Sequence, residues 1–367
     1  MTAFPGAEAA LARIARVSGP RIDPPTLMPA EIILELSGEA VRSRLCTFTD
    51  AAGEELCLRP DLTTPIARLV ASGDLPSARY HAFGPVYRLP PAGSEEAVEH
   101  LQIGFEWFGA AGTPEEDAEA AAVALEAALA GGVASANVRF GDVALFRSVV
   151  EALPFSPQWR ARLRKSFSRR RGPREMLASV GGSDPRASPL AARIAVMPET
   201  DARRAIEQML AEMGVQPVGG RGPEQIIARL RDKAADWPPS AAASSQLVAY
   251  LDLAAPADDS VAALETFARE AGLDIGLALD IFARRLERLA ALKPPFWGQA
   301  VFSAEAGRRF DYYDGFVFEL ARPAAPDRPL VSGGRYDGLI GRLSGGARAA
   351  SAIGAALRVD RLAERAP

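Results

Sequence analysis

RRFDYYDGFVFEL, residues 308–320, is the stretch whose reading decides the fold. Its aromatic residues fall two apart, Phe310 with Tyr312 and Phe316 with Phe318, and Val317 adds a β-branched side chain. That alternation predicts a strand, because residues i and i+2 share one face of a sheet. A strand that only had to pack would not gather Arg308, Asp311, Tyr312, Tyr313 and Glu319. Two phenolic hydroxyls and a guanidinium can orient a small zwitterion through directed hydrogen bonds. An ordinary aromatic sheet face is the simpler reading of the same letters, and the other segments must decide between them.

Outward from that stretch, sheet-like and helical signals come in blocks. Residues 6–17 have the spacing of an amphipathic helix, and the proline-interrupted segment 19–32 suits an edge strand. Residues 31–43 continue as a partly helical stretch. RLCTFTD (44–50) and EELCLRP (54–60) predict a hairpin with Gly53 in its turn, which would set Cys46 and Cys57 opposite each other. DLTTPIARLVASG (61–73) has the cap, early proline and terminal glycine of a helix. Residues 78–90 and 100–110 alternate as two antiparallel strands, 115–132 is a helix with an acidic first turn, and 137–142 is a short strand. From 145 to 290 the pattern is almost wholly helical, although QLVAYLD (246–252) admits a further strand. Strands in runs with helices grouped between them indicate an α+β fold, an antiparallel sheet interrupted by a helical insertion. The expected organisation is core 1–144, insertion 145–290 and remaining core 291–367. The glycines of GGRYDGLIGRLSGG (333–346) are not expected to have the strand before and helix after that make a phosphate loop.

Composition narrows the function. The 367 residues are 48% hydrophobic and 24% charged, with a net charge of −4, which argues against a dominant nucleic-acid surface. Two cysteines are too few for a disulfide framework and read as packed thiols. The two histidines, His81 and His100, exclude multi-histidine metal sites. No metal or other cofactor is expected. The N-terminus lacks a secretory h-region, and the alanine-rich run 118–136 carries Glu119 and Glu126, so neither a signal peptide nor a membrane span is expected. These features point to a soluble, cytoplasmic protein. The basic run 159–177 reads as a solvated helix face or as an RNA or acidic-partner patch.

Several segments together resemble class II aminoacyl-tRNA synthetases of the histidyl branch. LRPDLTTPIAR (58–68) is similar to that branch's LRPE-x-T segment, and FGPVYR (83–88), with Gln102, Gly104 and Glu106 downstream, resembles its motif 2. RRFDYYDGFVFE (308–319) resembles its histidine-binding strand, GGRYDGL (333–339) is a close match, and AIGAALRVDRL (352–362) has the frame of motif 3. The resemblance implies a class II synthetase-like antiparallel sheet flanked by helices. It also implies a histidine pocket formed by Asp61, Thr63, Arg88, Gln102, Glu106, Arg308, Tyr312 and Tyr336, with Tyr313 as an additional candidate. In it Glu106 and Tyr312 face the imidazole, Asp61 and Thr63 receive the ammonium, and Arg308 and Gln102 lie near the carboxylate. Charge-assisted hydrogen bonds of this kind contribute roughly 1.5–3 kcal/mol each.

Adenylate formation makes further demands, and here the sequence departs from the enzymes. The motif 2 loop, LPPAGSEEAVE (89–99), has no cation and carries Glu95, Glu96 and Glu99. One misplaced charge at ~4 Å costs about 4 kcal/mol at an effective dielectric of ~20, so such a loop repels a triphosphate. Arg358 stands where motif 3 keeps a small residue, although Arg361 retains the motif's last position. The chain stops about five residues later, so the enzymes' anticodon-binding domain is expected to be absent. A kept amino-acid pocket beside a lost nucleotide seat resembles the regulatory-subunit family of ATP phosphoribosyltransferase, synthetase paralogues of histidine biosynthesis. That resemblance implies no catalysis by this chain and a short-form catalytic subunit as partner. It implies histidine as effector, and a homodimer, joined through 19–60, inside a larger hetero-oligomer. A minimal histidine-activating ligase and an RNA-binding paralogue using Arg160–Arg174 remain as alternatives.

Overall fold

The computed structural model describes residues 5–363 except 95, 110–111, 170–171, 180–188, 215–221, 235, 237 and 308–311. The chain divides into two compact units, one of residues up to Val149 together with those from Tyr250 onward, the other Val150–Ala249. The second unit is narrower than the span 145–290, since the helices Ser260–Ala271 and Gly276–Leu292 belong to the first. It is helical and closes a small core of Ile194, Ala202, Ile206 and Ile227. Within it much of the basic run is paired: Arg160 and Arg164 with Glu151, and Arg162 with Asp236.

The first unit holds two sheets. β1 (Leu27–Pro29), β2 (Thr47–Thr49) and β3 (Glu55–Leu58) form a small antiparallel sheet in the order β1-β3-β2, with the proline-flanked β1 at an edge. The β2–β3 turn is closed by the Asp50 carboxylate, which accepts the amide N–H of Ala52 at 2.8 Å and of Glu54 at 2.9 Å. Gly53 takes the φ of +88° that an L side chain resists. The register places Thr47, not Cys46, opposite Cys57, so the two cysteines are not facing partners. Both are free thiols.

The large sheet contains β4 (Arg79–Tyr87), β5 (Glu99–Phe108), β6 (Asn137–Asp142), β7 (Ala254–Pro256), β8 (Val301–Ser303), β9 (Phe316–Ala321), β10 (Pro329–Arg335) and β11 (Ala352–Arg358). Its order is β4-β5-β11-β10-β9-β6-β8-β7, with every pairing antiparallel except β6–β8. Because side chains alternate across a strand, the register sorts them into two faces. One face carries Phe105 and Trp107 of β5, Ile353 and Leu357 of β11, and Phe316 and Phe318 of β9, all buried. The helix Pro114–Ala130 packs on this face, and the helices Pro5–Ala15 and Gly276–Leu292 pack against it in turn. The Pro114–Ala130 helix is capped by Thr113, whose hydroxyl accepts the Glu116 N–H at 3.3 Å. An ionic cluster fixes the layers: Arg335 Nε donates to Asp117 at 2.6 Å, while Arg285 donates to Asp117 at 2.9 Å and to Asp142 at 2.7 Å. The opposite face carries Gln102, Gly104 and Glu106 of β5, Gly354 and Arg358 of β11, and Gly334 of β10. It is the floor of the candidate site.

Three expectations are corrected. Of the strand read from 308–320, residues 308–311 lie outside the described residues, Tyr312–Gly315 form an irregular segment, and the strand that follows runs from Phe316. Residues 246–252 lie largely in the helix Ala241–Leu251, whose buried Leu247, Tyr250 and Leu251 recur at helical spacing. The 333–346 glycines do have a strand before them and a helix, Gly338–Leu343, after them. The Asp314 carboxylate already accepts the first amides of that helix, from Asp337 at 3.0 Å and Gly338 at 2.7 Å.

Candidate functional site

Glu106 is the centre of the site. It lies mid-strand on β5 with only 1% of its surface exposed, and its directly opposed neighbour on β11 is Gly354. A Cβ at 354 would lie 1.8 Å from Glu106 Oε2, so the carboxylate occupies space that only a glycine leaves open. Thr63 Oγ1 donates to Glu106 Oε1 at 2.5 Å, and the Tyr336 hydroxyl donates to Oε2. Burial raises the Glu106 carboxyl to about 8; the hydrogen bonds from Thr63 and Tyr336 oppose that shift and the nearby Asp61 adds to it.

The surrounding groups come from three local structures. The helix Thr63–Ser72 presents its N-terminus to β5: Gln102 Oε1 accepts the Leu62 N–H at 3.0 Å, and Asp61 Oδ1 accepts the Thr64 N–H at 2.7 Å. Gln102 therefore retains its NH2 donors for another partner. Arg88 follows β4 and donates from Nε to the Pro60 carbonyl at 2.6 Å. Its guanidinium is pulled below the ordinary arginine range by burial and by Arg358 and Arg44, with Asp61 and Tyr312 acting the other way. Tyr312 and Tyr313 come from the irregular segment, and their rings lie 4.8 Å apart. Both also approach Tyr336, at 5.7 and 6.4 Å between ring centres. Adjacent residues of a strand point to opposite faces, so the two tyrosines can share one wall only because this segment is not extended. Burial holds all three phenols above the ordinary tyrosine range, which keeps them protonated donors.

The structure thus brings together Asp61, Thr63, Arg88, Gln102, Glu106, Tyr312, Tyr313 and Tyr336. Arg308 lies outside the described residues. Thr63 gives its hydroxyl to Glu106, while its helix neighbour Thr64 gives its amide N–H to Asp61.

At the neighbouring end of β5 and β11, Arg358 binds its own turn, donating to both oxygens of Asp360 at 2.9 and 2.7 Å. Arg361 donates to Glu96 at 2.6 Å and to the Pro329 carbonyl at 2.8 Å. Glu99 is exposed, and Glu95 lies outside the described residues. The residues that motif reading missed are Gly354, Asp314 and His100, whose ring nitrogens have no hydrogen-bond partner among the described residues. Gly354 stood inside the quoted motif 3 frame, but its necessity depends on which residue faces it across the sheet.

A profile of the histidyl-tRNA synthetase family matches residues 6–254 and 227–362. Curated relatives include the ATP phosphoribosyltransferase regulatory subunit of Brucella anthropi, 32% identical over 93% of this chain and 92% of that protein. The protein of the same name from Brucella canis is 33% identical, over 93% of this chain and 92% of that protein. Among solved structures, an ATP phosphoribosyltransferase regulatory subunit/histidyl-tRNA synthetase from Bacillus halodurans shares the fold, with a TM-score of 0.65. Its sequence identity is 22%, over 98% of this chain and 77% of that one. Histidyl-tRNA synthetase from Nostoc gives a TM-score of 0.61 at 15% identity, over 98% of this chain and 70% of that one. Sheet, pocket and matches define a class II synthetase-like protein of the histidyl-tRNA synthetase type. Within that class, the chain belongs to the family of ATP phosphoribosyltransferase regulatory subunits. Among the described residues no helix is long and apolar enough to cross a membrane, and no cluster of His, Cys, Asp or Glu could hold a metal ion.

Proposed function

We propose that this protein is the non-catalytic, histidine-sensing subunit of a cytoplasmic ATP phosphoribosyltransferase. In that role it joins a short catalytic subunit that condenses ATP with phosphoribosyl pyrophosphate, the first step of histidine biosynthesis, and makes the step responsive to histidine. The observation that carries the reading is the contrast between neighbouring sites. A buried ring of donors and acceptors surrounds Glu106, whereas each nearby arginine of the nucleotide seat is matched to an internal carboxylate.

Histidine fits the ring. Glu106 keeps acceptor capacity for an imidazole N–H beyond its two present bonds, Asp61 can hold the ammonium, and the Gln102 amide can donate to the carboxylate. Arg308 is assigned to the same carboxylate. Feedback then requires histidine to favour one quaternary state, and a coupling of roughly 1–3 kcal/mol gives about 5- to 150-fold regulation. A homodimer formed through residues 19–60 is the scaffold on which the catalytic subunits assemble.

Co-purification with a short-form catalytic subunit, assayed with and without histidine, tests the role. Activation by this chain and inhibition by histidine are expected, and Glu106→Gln reduces histidine affinity by ~10-fold or more. Exchange of pyrophosphate into ATP, dependent on histidine and on this chain alone, would defeat the non-catalytic reading. Calorimetry that finds histidine bound only by the assembled complex would defeat the pocket assignment.

A further inference from the structure

Arg88, Arg358 and Arg361 converge near the ends of β5 and β11, close enough that Arg358 depresses the basicity of both the others. Each has a carboxylate: Asp61 beside Arg88, Asp360 chelated by Arg358, and Glu96 on Arg361. Two of these carboxylates are fixed. Asp360 lies two residues from its arginine, and Asp61 is held by the Thr64 amide at 2.7 Å. Glu96 is different. It comes from the β4–β5 loop, whose described residues from Pro91 to Glu99 are otherwise exposed, and it alone turns inward. Its carboxyl is pushed up by burial, but Arg361, Arg358 and Arg328 outweigh that and hold it below the ordinary range.

Between these charges lies His100, 6% exposed, with neither ring nitrogen bonded among the described residues. Burial and the adjacent Arg358 and Arg88 lower it to about 4, so it is a neutral imidazole among cations. Arg361 Nε is likewise buried without a partner. Unused donors, a neutral imidazole and clustered guanidinium groups make a seat suited to a phosphate-class anion.

We propose that Glu96 is a built-in counter-anion that occupies Arg361 and closes this arginine cluster to phosphate-bearing ligands. The contact, more than the overall acidity of the loop, is what shuts the seat. This rests on the reading that the nucleotide site is lost and supplies its means. Removing Glu96 leaves one buried guanidinium without its carboxylate, and inorganic pyrophosphate takes that place.

The test is calorimetric titration of the full chain with pyrophosphate, comparing wild type with Glu96→Gln, Glu96→Asp and Glu99→Gln. Glu96→Gln is expected to bind ~10- to 100-fold tighter than wild type, the range of one charge-assisted hydrogen bond. Glu96→Asp keeps the loop's charge but is too short to reach Arg361, and is expected to show a smaller gain. Glu99→Gln removes the same charge from an exposed position of the loop and is expected to match wild type. Adding Arg361→Gln to Glu96→Gln removes the gain. Equal affinities for wild type and both Glu96 variants overturn the proposal, as does a gain in Glu99→Gln equal to that in Glu96→Gln. Histidine-dependent pyrophosphate exchange by the wild type is read separately, since turnover there refutes the lost-site reading itself.

Discussion

Gly354→Ala places a methyl group where the Glu106 carboxylate now lies. An ideal Cβ at 354 falls 1.8 Å from Glu106 Oε2 and 2.6 Å from the Phe105 carbonyl oxygen. The Phe105 backbone is held in the β5–β11 ladder, in register from Gln102 to Phe108, so the Glu106 side chain must give way. Its departure strands the hydroxyls of Thr63 and Tyr336, both nearly inaccessible to water. A buried donor left without an acceptor costs about 1–3 kcal/mol, so the pair costs about 2–6 kcal/mol. That is a large share of the ~5–15 kcal/mol stability of a folded domain. Guanidinium unfolding is expected to show a lower midpoint with an unchanged slope. Glu106→Ala removes the side-chain obstacle and leaves only the 2.6 Å approach to the Phe105 carbonyl oxygen, so the double variant Gly354→Ala/Glu106→Ala is expected to be less destabilised than the two single costs predict. The expected coupling is ~1 kcal/mol or more. A Gly354→Ala protein within ~0.5 kcal/mol of wild type, or strictly additive costs, would refute the reasoning.

Other expectations follow from the same geometry. Burial raises Glu106 from 4.5 to about 8, so the folded chain retains a proton that the unfolded chain releases. Its contribution is complete below pH ~4.5 and is lost as pH rises through ~8, by up to about 1.4 kcal/mol per unit. Glu106→Gln should remove that slope from a pH series of unfolding curves, and an unchanged slope would count against it. Arg335→Gln leaves Asp117 and Glu116 short of a buried partner and should cost about 3–5 kcal/mol in denaturant unfolding. A loss below ~1 kcal/mol would show the cluster to be dispensable. Cys57 is fully buried, and burial, with Asp61 and Glu55 nearby, pushes its thiol up to about 11. A thiol reagent at neutral pH should therefore label Cys46 first, a phase lost in Cys46→Ser, and reach Cys57 only on unfolding.

The pattern of the chain made much of this legible. The hairpin 44–60 is visible because Asp50 and Gly53 carry the chemistry of their own turn. The β4, β5 and β6 ranges follow from period-two alternation, and the 115–132 helix is announced by its acidic first turn and trailing glycines. The described pocket residues were legible as types in order, and the fold brings them together. What escaped depends on partners remote in sequence. Residues 312–315 leave the extended conformation, and the Asp314 carboxylate caps amides 23 and 24 residues away, which no local alternation encodes. Glu96 meets Arg361 across 265 positions, so the acidity of its loop was readable but its target was not. At 246–252 a short apolar run fits strand and buried helix alike, and tertiary packing chose the helix.

The strand order also bears on how the polypeptide can be made. β11 lies between β5 and β10 in the interior of the large sheet, yet β5 ends at Phe108 and β11 begins only at Ala352. At ~5–20 residues per second, a ribosome needs roughly 10–50 s to travel between them. Throughout that interval one rim of β5 has no partner to zip against, and such open rims are where nascent chains adhere to one another. Yield of native protein should therefore depend on translation speed and chaperone supply more than its thermodynamic stability alone would suggest, because the strand that joins β5 to β10 emerges long after β5 itself.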